Sequence, residues 1–228
     1  MDFDVLPGPS RAELARTALA RAAAAAVTAA GPDRCAFAAV PVRVNAAGQP
    51  VLLPADRSAL AGLLAAGPAT VTVAVAADLP FTSLRLVGTA ARDRPPATHC
   101  GTIPYVVTLR SVEFTGPRRA PVDLAEYRTG APDPLWREAP GILRHLESCH
   151  MAELVACVRA HGMPAAECVV PRSLDRFGLE LLVLSPDGLA ACRLSFPDGP
   201  VTSLRQVPAS VRAVLTCRCT SPAHHPRT

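Results

Sequence analysis

Between residues 35 and 114 the chain strings together apolar runs of strand length, and this repetition limits its fold more than any other feature. The runs are CAFAAVPVRV (35–44), PVLLP (50–54), ATVTVAVAA (69–77), SLRLVGTAAR (83–92) and IPYVVTLRSVEF (103–114). They are bounded by Gly, Pro and Asn, the residues that close strands, and VNAAGQPV supplies the turn between the first two. Between the second and third, DRSALAGLLAAGP (56–68) carries leucines at 60, 63 and 64 and ends in Gly-Pro, which predicts a short helix crossing from one strand pair to another. The expectation is a small, mostly antiparallel β-barrel with one inserted helix.

Ahead of the barrel, Arg11 to Ala30 predicts a first helix, with Ser10 as N-cap, Glu13 completing a capping box and Gly31-Pro32 ending it. Its AAAAAVTAAG stretch follows Asp2, Asp4 and three arginines, so it reads as helix rather than signal peptide. No segment approaches the roughly 20 apolar residues that span a bilayer. A cytoplasmic protein is expected. Its eight cysteines (35, 100, 149, 157, 168, 192, 217 and 219) would then be reduced and mostly buried, packing as small hydrophobes.

The length of 228 residues and a hydrophobic fraction of 50% supply enough material for a packed core. All 23 basic residues are arginine, and with the abundance of alanine and proline this fits a GC-rich bacterial genome. The net charge of +4 is spread without basic runs, and Trp and Tyr are scarce, which argues against a nucleic-acid partner. Phosphate-loop, dinucleotide-glycine and GxSxG patterns are absent.

A second unit follows the proline-rich stretch GPRRAPVDLAEYRTGAPDPLWREAPG (116–141). It offers a helix over 141–161 stopped by Gly162, then ECVVPRSL, GLELLVLS and AACRLSF as strands joined by DRFG and PDG turns, then a helix over 203–217. The boundaries are drawn as barrel 1–120, linker 121–140, second domain 141–219 and tail 220–228.

The helix 141–161 contains HLESCH, with His145, Glu147, Cys149 and His150. Further on come Asp175 and Gly178 at a turn, then Phe196-Pro197 and Pro200-Val201 before the last helix. With these residues and this order of elements, the chain resembles the flavin-reductase-like split barrels of haem-utilisation proteins. These are pyridoxamine phosphate oxidase-like barrels followed by a C-terminal domain of unknown function. Family members carry Asn and Asp where this chain has Glu147 and Cys149. The fold implied is α+β: an FMN-binding-type split β-barrel, then a small α/β domain of helix, antiparallel strands and helix. The resemblance implies a homodimer formed through the barrel and a protein that binds haem at that barrel dimer and degrades or uses it. It equally admits an FMN-dependent oxidoreductase acting on a small molecule, or a non-catalytic regulator of tetrapyrrole metabolism.

On an unbroken helix, Leu143, Leu146, His150, Leu154 and Cys157 share one stripe, so His150 points where the core leucines point. His145 and His150 then stand about 140° apart and cannot chelate one ion. His145 and Cys149 have the four-residue spacing that would suit zinc or haem iron. Two readings stand side by side: His145, Cys149 and His150 as metal ligands, or both histidines as structural residues satisfied by hydrogen bonds.

The tail CRCTSPAHHPRT is the other ligand-rich stretch; by resemblance His224 or His225 would serve as the iron ligand, against the reading of a frayed terminus. His99 and Cys100 sit in a loop before the last barrel strand and read as solvent-facing. For a flavin, several charge-assisted donors must replace water around the phosphate. The candidates are Arg43, Arg57, Ser58 at the start of the inserted helix, and Arg85.

Overall fold

Ala24–Ala30 shows how position in a sheet overrides local preference. In the computed structural model, which describes residues 8–77, 83–93, 103–115 and 119–216, this stretch is not helix as expected. The first helix, α1 (Arg11–Arg21), is capped by Ser10, whose Oγ accepts from the Glu13 N–H at 3.1 Å. It ends at Ala22, and Ala24–Ala30 is strand β1. Alanine favours helix only weakly over other residues, by tenths of a kcal/mol each. Here Ala25, Val27 and Ala29 alternate into the core while β1 pairs on both sides, with β2 (Cys35–Val44) and β4 (Ala69–Ala76).

The remaining barrel elements are β3 (Pro50–Leu52), α2 (Ala59–Ala65), β5 (Ser83–Arg92), β6 (Tyr105–Thr115) and β7 (Ala120–Val122). The antiparallel order is β3-β2-β1-β4-β5-β6-β7, and β3 also pairs with β6 through Val51↔Val106 and Leu52↔Tyr105. Six strands therefore close into a barrel, and β7 pairs with β6 farther along, at Val112–Phe114. The interior is filled by Val27, Leu52, Val71, Val73, Leu84, Leu86 and Val107, all sealed from water. A bulge falls at Val87/Gly88, where a Cβ on Gly88 would lie 2.2 Å from the Thr108 carbonyl oxygen. Only glycine fits this close approach of two backbones.

Two compact units meet in sequence at Asp133 and Pro134. Most of the segment drawn as a linker, 121–140, is folded onto the first unit. β7 is followed by α3 (Leu124–Thr129), capped by Asp123, whose Oδ1 accepts from the Glu126 N–H at 2.8 Å. Tyr127 is 1% exposed, donates its hydroxyl to the Gly48 carbonyl at 2.9 Å and lies under the Arg16 guanidinium. Burial raises its pKa to about 12, against a smaller lowering by Arg16. The Asp133 N–H donates to Thr17 Oγ1 at 2.8 Å, fastening the end of the segment to α1.

The second unit has its own core, centred on Leu135, Leu154, Val158, Val169, Leu174 and Leu181. Its elements are α4 (Ala139–Cys149), α5 (Met151–Ala160), an antiparallel sheet of β8 (Cys168–Asp175), β9 (Gly178–Ser185) and β10 (Gly188–Ser195), and α6 (Val207–Thr216) after a 3₁₀ turn at Leu204–Gln206. Asp175 organises the β8–β9 turn. Its Oδ1 accepts from the Phe177 and Gly178 N–H groups, and Arg193 Nη2 reaches both its oxygens at 2.6 and 2.8 Å. The architecture is thus α+β, a closed antiparallel barrel followed by a small mixed unit with a three-stranded sheet. No helix among the described residues is long and apolar enough to cross a membrane.

Candidate functional site

His150 decides the local geometry of the second unit. Its backbone leaves the helical region (φ −131°, ψ 23°), so the expected single helix is two helices, α4 ending and α5 beginning at this residue. The His150 N–H still donates to Leu146 and its carbonyl accepts from Leu154, which keeps the chain hydrogen-bonded through the break. No Pro or Gly marks the position, so the sequence carries no signal for it.

The break overturns the helical-wheel argument. Leu146, Leu154 and Cys157 are buried as the stripe predicts, but the His150 side chain is 36% exposed. The two histidines, expected to diverge, lie edge to face with ring centroids 5.1 Å apart. His150 Nδ1 is 3.6 Å from Glu153 Oε1, an ion-pair distance one turn into α5.

Both imidazoles line a cavity of about 610 Å³. Its walls are apolar: Ile142 and Leu146 from α4, Val207, Pro208, Val211 and Leu215 from α6, and Leu204 from the 3₁₀ turn. Glu153 and Arg212 supply its charged groups. The volume and character are those of small-molecule sites, apolar surfaces with a few convergent polar groups. Cys149 does not line the cavity; it is exposed, with its Sγ 3.8 Å from Ser148 Oγ. Glu147 is exposed and likewise absent from the lining. Among the described residues no three His, Cys, Asp or Glu side chains converge as a metal cage.

His161 was not singled out from the sequence. Its Nδ1 lies 3.6 Å from Cys157 Sγ and 2.8 Å from the Cys157 carbonyl, while the thiol donates to the Val214 carbonyl at 3.3 Å. Burial, and secondarily the neighbouring Cys192, raise the Cys157 pKa, which makes it an inert, structural thiol. The expectation of mostly buried cysteines is corrected at three positions: Cys35, Cys149 and Cys168 are exposed.

The flavin candidates stand on separate elements of the barrel unit, Arg43 on β2, Arg57 and Ser58 just ahead of α2, and Arg85 on β5. Arg43 is exposed on β2 opposite Val51. Arg85 pairs with Glu113 across β5 and β6, Nη1 to Oε1 at 3.2 Å. Ser58 uses its hydroxyl to cap α2, accepting from the Ala61 N–H at 3.1 Å. Arg57 takes a left-handed backbone (φ 63°) and lines a hollow of about 210 Å³ with Asp56 and Tyr105. Neither Arg43 nor Arg85 lines that hollow. His99, Cys100, Cys217, Cys219, His224 and His225 lie outside the described residues.

No family model matches the chain. No curated protein matches it either. Among solved structures, a haem-binding protein from Mycobacterium smegmatis shares 23% identity over 93% of this chain and 98% of its own, with a TM-score of 0.65. This likeness is one of fold and covers both units. A protein of unknown function from Agrobacterium tumefaciens (20% identity, 93% of this chain and 100% of its own, TM-score 0.39) is more distant. So is an FAD-binding protein from Mycobacterium smegmatis (13% identity, 50% of this chain and 98% of its own, TM-score 0.37).

Proposed function

We propose that this chain is a haem-binding protein and that the cavity of its second unit receives the porphyrin. The observation that carries the reading is the pair of imidazoles on the wall of a mostly apolar cavity. A bare divalent ion needs about four protein ligands, and the described residues offer no group of three. Haem iron arrives with its four equatorial nitrogens and asks the protein for only one or two axial ligands, most often histidine. The apolar walls suit the macrocycle, and Arg212 provides a cation for its carboxylates. The fold shared with a haem-binding protein of Mycobacterium smegmatis supports the same reading.

The barrel would contribute by pairing two copies. On the outward face of β1, β2 and β4 the register aligns Phe37 with Thr28 and Thr72, Ala39 with Ala26 and Ala74, and Cys35 with Ala30 and Thr70. Phe37 is 72% exposed in this uncharged row, a surface that a second copy would cover.

Titration of the purified protein with hemin, followed in the Soret region, tests the proposal. A saturable band at one haem per chain that is lost in the His145→Ala/His150→Ala double variant is expected. Removal of residues 220–228 should leave that band in place; its loss on truncation would move the ligand to His224 or His225. A flavin spectrum in the protein as isolated, with no response to hemin, would favour the oxidoreductase reading instead.

A further inference from the structure

We infer that β10 is a self-pairing edge: two copies of the chain join their β10 strands antiparallel about a two-fold axis at Ala190, making one six-stranded sheet from two three-stranded ones. The inference is independent of the haem reading. Among the described strands β10 pairs with β9 alone, so its other side is open. Natural open edges are blunted by charges, prolines or bulges, because unpaired N–H and C=O groups invite another strand. From Gly188 to Cys192 β10 carries no charge and no proline, and its register with β9 runs unbroken. Leu189 is 68% exposed and lies opposite Leu184 of β9, which is 42% exposed. Ala191, two residues on, shares that outward face and is exposed as well.

The direction of the backbone groups selects the register. The Leu184 carbonyl accepts from the Glu167 N–H at 2.8 Å, on the β8 side, and the Phe196 N–H donates to the Phe177 carbonyl at 2.9 Å, continuing the β9–β10 ladder. Hydrogen-bonding direction alternates along a strand, so Gly188, Ala190, Cys192 and Leu194 turn their backbone groups to β9. Leu189, Ala191 and Arg193 turn theirs outward. An axis at Ala190 sets Leu189 opposite Ala191 of the second copy, and Ala191 opposite its Leu189, so that both pairs exchange hydrogen bonds. The same axis sets Asp187 opposite Arg193, itself held by Asp175, at each end of the paired segment. A shift of two residues either way keeps the hydrogen bonds but sets Asp187 against Ala191 or Ser195, where no cation faces it. This charge match is between the strand and its own copy, and it commits the edge to a second copy of the chain. One pair of edge strands covers less than the roughly 1,200 Å² of a stable interface, so the contact is weak and adds to the barrel pairing proposed above.

The experiment uses the full chain carrying Phe37→Glu, so that the barrel face does not contribute. Sedimentation equilibrium should show monomer at micromolar concentration and a reversible dimer with a dissociation constant on the order of 0.1–1 mM. Ala191→Pro removes an outward N–H and leaves the β9 ladder its donors, while Leu189→Lys puts a charge on the edge. Either change should weaken self-association at least about tenfold with the melting temperature kept. Disulfide trapping reads the register, because Ala190 meets its own copy at a Cα separation of about 4.5 Å, within disulfide reach. In a glutathione buffer Ala190→Cys should give a covalent dimer whose cross-link maps to position 190 by mass spectrometry, and Ala191→Cys should not link to itself. Self-linking of Ala191→Cys in place of Ala190→Cys, or association untouched by both edge variants, would overturn the assignment. So would a chain that stays monomeric up to about 1 mM, an outcome that gives the open edge to a strand of another protein.

Discussion

Replacement of His150 by alanine separates a ligand from a core residue, because the structure assigns the two roles opposite costs. The side chain is 36% exposed, and its pairing with Glu153 is open to water, so its removal forfeits about 0–1 kcal/mol of ion-pair energy. The net change should lie within about 1 kcal/mol, a shift of a few degrees in melting temperature. Leu146, on the same cavity wall but 2% exposed, provides the contrast: Leu146→Ala should cost about 2–5 kcal/mol, on the order of 10 °C or more. For hemin the order reverses. If His150 is a haem ligand as proposed, its loss should weaken binding by about tenfold, or 1.4 kcal/mol, and alter the Soret position. The assay is thermal unfolding by circular dichroism beside hemin titration on the same preparations. A His150→Ala variant that melts as early as Leu146→Ala yet binds hemin like wild type would refute the reasoning and return His150 to the core.

Other parts of the molecule make sharper or simpler claims. Phe37→Glu should convert a dimer to monomer in light scattering, since it places a charge in the uncharged outward row of β1, β2 and β4; a wild type that is monomeric at all concentrations would reject that face. Gly88→Ala should destabilise the barrel by several kcal/mol, as buried overpacking costs about 1–3 kcal/mol even where neighbours can shift and here the obstacle is the Thr108 backbone. Denaturant titration checks it, and a loss under about 1 kcal/mol would mean the strands separate easily. Tyr127 makes a pH claim: with a folded pKa of about 12 against an ordinary 10.0, folding favours the protonated phenol. Stability is therefore fully present below about pH 10 and should be lost, by about 2–3 kcal/mol, as pH rises towards 12. Tyr127→Phe should flatten that alkaline decline, and equal slopes in both proteins would show that the phenol does not titrate with unfolding.

Much of the barrel was legible because a strand with one buried face repeats every second residue, and Val71, Val73 and Val75 or Leu84 and Leu86 show that period without ambiguity. Ala24–Ala30 was not, because alanine is compatible with both helix and strand and its exposure pattern exists only once β2 and β4 flank it. The stretch 121–140 failed for a different reason. Its prolines read as linker, yet one buried tyrosine, with a hydroxyl satisfied by the Gly48 carbonyl, holds α3 on the first unit. A few long-range contacts of this kind leave no periodicity to find.

The candidate site was half legible for a reason that the backbone makes explicit. HLESCH contains both histidines of the cavity wall, but on an unbroken helix five residues mean about 140° between them. The departure of His150 to φ −131°, ψ 23° replaces that angle by the edge-to-face contact at 5.1 Å. A pattern of residues fixes relative directions only while every residue between them keeps helical dihedrals, and His150 does not, although its own hydrogen bonds to Leu146 and Leu154 persist. One residue outside the helical region redirects its own side chain, while Leu154 and Cys157 beyond it still join Leu146 in the core. Glu153 gains its place beside His150 by the same event, and Cys149, just before the break, is left outside the cavity. The residue types of HLESCH therefore announced donor chemistry, while the assignment of donors to one wall waited on a single pair of dihedral angles.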